Sequence, residues 1–369
     1  VVTRLVATLA ALERQGHEVL VLATPRAPAT LHGHRVVAAP GVPFPWYPEH
    51  RFAVPSQGLA RELDRFAPDV VHVVNPIFFG TWGALVAKRL RLPLLASFHT
   101  DPKVVEDLKL GWFKRPLEVL DREVHNLAQV NLCTSPQMVE LARELGIRRV
   151  RLWPKAVDAE RFRPSAASPE MRARLSGGQP DAPLVVYAGR VSFEKRVDVL
   201  AEALPLLEAG TRLAIVGDGP ALPWLRERLS GSPVVFTGFL DGDELADAYA
   251  TGDVFAFPSD SETLGFAAIE AMASGVAVVA ADAGGIPHIV HHEANGLLVP
   301  PGDAPALAEA IRRLTNDAPL RKRLAEAGRR EAERWSWDAA TRELVLRYRQ
   351  AMRVHGIAGA RTARGAVAS

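Results

Sequence analysis

Apolar residues along this chain fall into short runs separated by stretches of helical spacing, an alternation that predicts an α/β protein. Thr3 to Gln15 places Leu5, Leu9 and Leu12 on one helical face and leads through Gly16 into the apolar strand Val19 to Ala23. Pro68 to Val74 and Leu92 to Phe98 read as two further strands, the second delivering His99 at its C-terminal end. The same rhythm returns with Leu184 to Ala188, Arg212 to Val216, Val234 to Leu240 and Asp253 to Phe257. After Pro258 a small polar run reaches Gly265, beyond which the Ala, Ile and Met pattern is helical. Ser165 to Pro169 reads as a linker, and a last helix runs from Trp337-Asp338 to about Arg353. Residues 355–369, rich in Gly, Ala and Arg, read as a disordered tail.

Composition narrows the class without naming a chemistry. A chain of 369 residues that is 48% hydrophobic suits two domains with filled cores. A net charge of +2 is too balanced for a nucleic-acid binder. One cysteine excludes an internal disulfide framework and fits a reducing compartment. No run of 18 apolar residues is present in this sequence, and no signal peptide is expected.

The candidate chemistry sits in the second half. Glu262 and Glu270 lie on either side of the helix start at Gly265. Free amides at Leu264, Gly265 and Phe266 can receive a phosphate there, with a carboxylate on each side to accept hydroxyl hydrogen bonds. The same pair also reads as a cap and an ordinary helix Glu. Upstream, the strand ending at Ala188 runs into Gly189-Arg190-Val-Ser-Phe-Glu194-Lys195-Arg196. Arg offers a planar fork to phosphate oxygens and Lys a mobile point charge, although both are usually solvated. Gly217-Asp-Gly219-Pro220 fails as a dinucleotide fingerprint, because Leu222 stands at its third glycine position.

Taken in order, these segments resemble retaining glycosyltransferases of family 4, over nearly the whole chain. The stretch Glu262 to Glu270 is similar to the family's E-x7-E motif, and Gly189 to Arg196 to its G-R-x-x-x-E-K-G loop, with Arg196 in place of the last Gly. The resemblance implies the GT-B fold: two Rossmann-like domains facing each other across a central cleft. It implies an acceptor-binding domain over 1–163, joined by the returning helix 338–353, and a nucleotide-sugar-binding domain over 164–337. It also implies a first strand and glycine loop ahead of the opening helix, so that the first half as given has an unfilled sheet position.

The resemblance further implies roles. Gly189, Arg190 and Lys195, with the amides near Leu264, Gly265 and Phe266, would hold the donor diphosphate. Glu270 would hold the ribose, Glu262 the sugar, and Gly238 to Leu240 the base. His99, in a segment similar to the family's S-x-H-T, would approach the sugar and stabilise the transition state, making His99, Glu262, Arg190 and Lys195 the catalytic set. Asn131 to Pro136 resembles the strand and turn of the cleft floor, and Trp153 to Phe162 the interdomain segment, with Ala156 in place of Gly. Ala281 to Pro287 and Asn295 to Asp303 match scaffold turns.

No metal and no cofactor is expected. Asp241-Gly-Asp243 matches a D-x-D metal pattern but reads better as a cap for the helix Glu244 to Ala250. His288, His291 and His292 read as a solvated cluster. The expected activity is retaining, metal-independent transfer of a hexose from a UDP- or GDP-sugar, with the departing phosphate taking the acceptor's proton. Gly41 to Pro48 and the surroundings of His99 resemble the branch holding sulfoquinovosyl diacylglycerol synthases and mannosyl or glucosyl transferases to lipids. Leu108 to Arg115 mixes aromatic and aliphatic groups with cations, which suits either an anionic membrane surface or a core-facing helix start. A lipid or glycan acceptor and a cytoplasmic protein at the inner membrane face are the resulting expectations. The alternatives are a catalytically silent nucleotide-sugar-binding protein, a GT-B epimerase that turns over donor without acceptor, or a phosphorylase, for which no pyridoxal lysine is identifiable.

Overall fold

The computed structural model describes residues 2–44, 47–74, 76, 78–99, 114–356 and 364–368. The chain divides into two units, Val1–Pro154 with Trp337–Ser369, and Lys155–Ser336. Residues 155–163, taken with the first half in the sequence reading, pack with the second. Val157 N–H donates to Trp335 O, and the Arg329 guanidinium donates to the carbonyls of Phe162 and Ala159.

The first unit contains β1 (Glu18–Ala23), β2 (Thr30–Leu31), β3 (His34–Ala38), the hairpin β4 (Gly41–Phe44) and β5 (Tyr47–Ala53), then β6 (Val70–Val74), β7 (Leu94–Phe98), β8 (Val130–Cys133) and β9 (Val150–Leu152). The second unit contains β10 (Leu184–Ala188), β11 (Arg212–Val216), β12 (Val234–Gly238), β13 (Val254–Phe257), β14 (Ala277–Ala281) and β15 (Leu297–Val299). One more strand, β16 (Arg364–Ala368), belongs to the first.

In the second unit all pairings are parallel, in the order β12-β11-β10-β13-β14-β15. Numbered within the unit this is 3-2-1-4-5-6, the doubly wound Rossmann order, whose direction reverses between β10 and β13. Strands β10, β13 and β14 are buried along their whole length, as expected when helices cover both faces of a parallel sheet.

The first unit's main sheet runs β2-β3-β1-β16-β6-β7-β8-β9, parallel except for the short β2. Val19, Val21 and Ala23 join one apolar cluster and Leu20 and Leu22 another, so β1 buries both faces. The helix Trp337–His355 covers the first of these faces together with the opening helix Val2–Arg14, contributing Leu344, Val345 and Tyr348.

Here the structure differs from the expected unfilled position and disordered tail. Arg364–Ala368 lies between β1 and β6, in register Glu18 to Arg364 on one side and Val70 to Gly365 on the other. A strand with partners on both edges satisfies backbone groups that an empty slot would leave open, which gives this small-residue segment its order. The last helix also continues to His355, past the expected end near Arg353.

Candidate functional site

The second unit builds its candidate site where its strand order reverses, between the loops that follow β10 and β13. Open α/β sheets place ligands at the carboxyl ends of strands at such a point. Lys195 Nζ donates to Glu262 Oε1 at 2.7 Å, both side chains being largely buried. Ser261 Oγ donates to Glu194 O at 2.9 Å, and Arg196 Nη1 to Asp260 Oδ2 at 2.8 Å. Three contacts therefore tie the two loops together, one of them joining two side chains singled out from the sequence.

Arg196 keeps the turn that a glycine would make. It takes the left-handed conformation, φ 53° and ψ 42°, between the short 3-10 turn Phe193–Lys195 and the helix Val197–Ala203. Its ion pairs with Asp198 and Asp260 hold that backbone. Arg190 is 60% exposed and sits 3.9 Å from Glu194, free to turn toward a ligand. The Tyr187 hydroxyl donates to Arg190 O at 2.7 Å and anchors this loop to β10.

The neighbouring loop after β11 is fitted to the first by backbone alone. Gly189 N–H donates to Val216 O, Val191 N–H to Asp218 O, and Gly217 N–H to Gly238 O. A Cβ on Gly217 would lie 2.0 Å from Gly189 O, so only glycine permits this approach. The turn after β12 is thereby fixed beside the other two: Gly238 joins this ladder, Leu240 is buried, and Phe239 between them is 74% exposed.

The helix Phe266–Ala273 begins after Gly265, as the sequence pattern predicts. Gly265 has φ 80° and no side-chain cap serves this helix start. Its backbone and that of the buried Leu264 lie against a turn whose Gly285 N–H donates to Glu262 O at 2.6 Å. Glu270 lies on the same helix and accepts a hydrogen bond from the Tyr249 hydroxyl at 3.1 Å. Burial pushes its carboxyl up to about 7, only partly offset by that hydroxyl. Tyr249 carries no signal in the sequence, because its partner lies 21 positions away.

The first unit presents a different arrangement around His99. Its Nε2 and that of His72, on β6, both bond Ser97 Oγ on β7, at 2.9 and 3.1 Å, and His72 Nδ1 bonds the Tyr348 hydroxyl at 3.0 Å. The serine has one proton and two lone pairs, so at least one of the two imidazoles donates to it. The two Nε2 atoms therefore cannot both be unprotonated acceptors of this hydroxyl. Burial, reinforced by the Arg4 charge, holds His99 well below the usual imidazole range and His72 near 3, so both are neutral at physiological pH. Thr100, Asp101, Trp46 and residues 108–113 of the aromatic-cationic stretch lie outside the described residues.

Asp241 precedes the helix Gly242–Thr251 at the N-cap position, but its side chain makes no capping hydrogen bond. Asp243 is almost fully exposed and faces Arg161 at 3.6 Å. His292 accepts from Leu298 N–H, and both His291 and His292 are exposed. Among the described residues no group of three or more His, Cys, Asp or Glu side chains could hold a metal, and no helix is long and apolar enough to cross a membrane.

Comparison with known proteins agrees with both halves. Residues 1–161 match the family described as Glycosyltransferase Family 4, and residues 182–317 the one described as Glycosyl transferases group 1. The sulfoquinovosyl transferase SQD2 of Arabidopsis thaliana is 38% identical over 90% of this chain and 67% of its own length. A GDP-mannose-dependent alpha-mannosyltransferase of Mycobacterium tuberculosis is 36% identical, over 91% of this chain and 89% of its own. Among solved structures, sucrose-phosphate synthase from Thermosynechococcus elongatus superposes with a TM-score of 0.75 at 25% identity, covering 94% of this chain and 92% of that one.

Proposed function

The chain belongs to glycosyltransferase family 4, and on that premise we propose that it moves a hexose from a UDP- or GDP-sugar to a lipid or glycolipid, with retention and without a metal. That it is a glycosyltransferase of GT-B fold, with two Rossmann-like units, follows from its relatives. The finer reading is carried by one observation: the Lys195–Glu262 pair at the strand-order reversal, beside an uncapped helix start at Gly265. A cation, free amides and a carboxylate in one place suit a diphosphate joined to a sugar.

In this proposal Arg190 and Lys195 take the diphosphate together with the amides at Gly265 and Phe266. Charge grows on the leaving diphosphate as the glycosidic bond breaks, and fixed cations lower that barrier most when water is excluded. Lys195 exchanges its Glu262 partner for phosphate, which frees the carboxylate to accept sugar hydroxyls. Glu270 accepts from the ribose, and the Gly238 to Leu240 turn meets the base. In the other unit, His99 is the group proposed for the sugar and its transition state. Held neutral, it can donate or accept a hydrogen bond without adding charge. No carboxylate is assigned as a nucleophile; the departing phosphate takes the acceptor's proton while the new bond forms on the same face.

The lipid acceptor is proposed from a relative named as a phosphatidylinositol monomannoside mannosyltransferase, 33% identical to this chain, and from the pairing of apolar groups and cations in Leu108 to Arg115. The test is transfer from a panel of UDP- and GDP-sugars, in EDTA, to diacylglycerol, glycosylated diacylglycerol and soluble sugars, with the product anomer read by NMR. An α-product from an α-donor on a lipid, unaffected by EDTA, is expected. Inverted product, a requirement for metal, or transfer to soluble sugars alone would each remove the corresponding part of the proposal.

A further inference from the structure

Arg4 stands in the first turn of the helix Val2–Arg14 and is 1% exposed. Its guanidinium lies 3.8 Å above the Trp153 ring, and Nη2 donates to Pro154 O at 2.5 Å. Nε and Nη1 have no partner among the described residues. They belong to a cation bordering a cavity of about 10 Å³ lined also by Thr8, His72, His99, Trp153 and Tyr348, with no acidic side chain among the described residues of the lining. The two histidines are neutral, so among the described residues of the cavity wall Arg4 carries the formal charge. Burial alone pulls the guanidinium down to about 9, as befits a cation without its counter-charge.

A buried unpaired charge is costly enough that proteins keep one chiefly where a ligand completes it. A single water in the cavity would satisfy hydrogen bonds yet leave the charge uncompensated. The cavity has room for about one oxygen atom, so an anion enters it by one oxygen while the rest of the group stays outside. We infer that Arg4 receives an oxyanion, a sulfonate, carboxylate or phosphate carried either by the transferred sugar or by the acceptor, with one oxygen seated beside His99. This deepens the transferase reading and rests on it, because it assigns an acidic substituent to one of the two substrates.

The experiment compares acidic and neutral members of matched pairs by calorimetry and competition. UDP-glucose is set against UDP-glucuronate and UDP-sulfoquinovose, and GDP-mannose against GDP-mannuronate. Diacylglycerol is set against phosphatidylinositol in detergent micelles. Wild type is expected to bind the acidic member of one series at least about 10-fold more tightly, the scale of one charge-assisted contact. Preference within a nucleotide-sugar series puts the oxyanion on the donor, and preference within the lipid pair puts it on the acceptor.

Arg4→Gln should bring the ratio to near one, and Arg4→Lys should keep part of it. The ratio is read on folded protein, so a loss of stability lowers both members together and does not imitate the effect. A wild type indifferent to acidity in every series overturns the inference, as does a preference that survives in Arg4→Gln. Failure of every nucleotide sugar to bind would instead remove the donor reading, and the lipid pair would still decide the role of Arg4.

Discussion

The two units share a doubly wound plan but keep their polar chemistry in different places. In the second unit β10, β13 and β14 are apolar throughout, and the polar candidates stand on loops beyond the strand ends or on the helix that follows one of them. In the first unit polar groups reach into the sheet itself: His72 on β6, Ser97 on β7 and Asn131 on β8 are all buried, as are Arg4 and His125 on flanking helices. Asn131 Oδ1 accepts from His125 Nδ1–H at 2.7 Å and Nδ2 donates to two backbone carbonyls, so this polarity is largely satisfied. A loop site on an apolar core can be altered without disturbing the scaffold, whereas a site threaded through a sheet couples function to stability.

The largest test of that contrast is Lys195→Ala. Removing a cation aimed at the leaving diphosphate should lower transfer about 10²–10³-fold while the melting temperature moves little. A melting shift as large as that of a core variant would break the comparison.

Ser97→Ala should do the opposite and reduce stability by about 1–3 kcal/mol, because two buried imidazole nitrogens lose their shared hydroxyl. Urea denaturation measures it, and a change within error would show that the network is not coupled to the fold. Gly217→Ala is the exception that sharpens the rule. Its Cβ would strike Gly189 O, and overpacking of this kind costs about 1–3 kcal/mol even in a loop.

Acidification should move the units in opposite directions. His72 near 3, His125 near 4 and His99 well below its ordinary value bind protons less readily folded than unfolded. The first unit therefore loses stability as pH falls below about 6.5, by up to about 1.4 kcal/mol per pH unit for each titrating group. Asp121, raised to about 6 by burial, opposes this with one carboxyl against three imidazoles. Glu270, raised to about 7, binds its proton more readily when folded, so the second unit gains as pH falls from 7 toward 4.5. Hydrogen exchange at pH 5.5 and 7.5, corrected for intrinsic rates and read separately on β6–β8 and β13–β14, tests the signs. Equal signs would refute it. The smallest effect belongs to the surface: Arg14 and Asp338 are both about half exposed, and Arg14→Ala should cost about 0–1 kcal/mol in the same denaturation assay.

Much of the second unit was legible in the sequence because its signals are local. Apolar runs mark β10, β11 and β13, a glycine marks the helix start at Phe266, and fixed spacing relates Arg190, Lys195, Glu262 and Glu270. What stayed hidden depends on distant partners. Tyr249 meets Glu270 only through packing, and Arg4 reads as a surface residue because arginine usually is one. Arg364–Ala368 contains a single β-branched residue, Val367, so propensity does not announce it. Its order comes from β1 and β6 on either side.

That strand has a consequence for how the molecule comes into being. Val19 and Gly365 are paired neighbours at the middle of one sheet, yet the whole second unit is synthesised between them. On the ribosome, Lys155–Ser336 can complete its sheet while β1 still waits for a neighbour that has not been made. The first unit to begin emerging is therefore the last to close, and its exposed strand edges need protection for the duration.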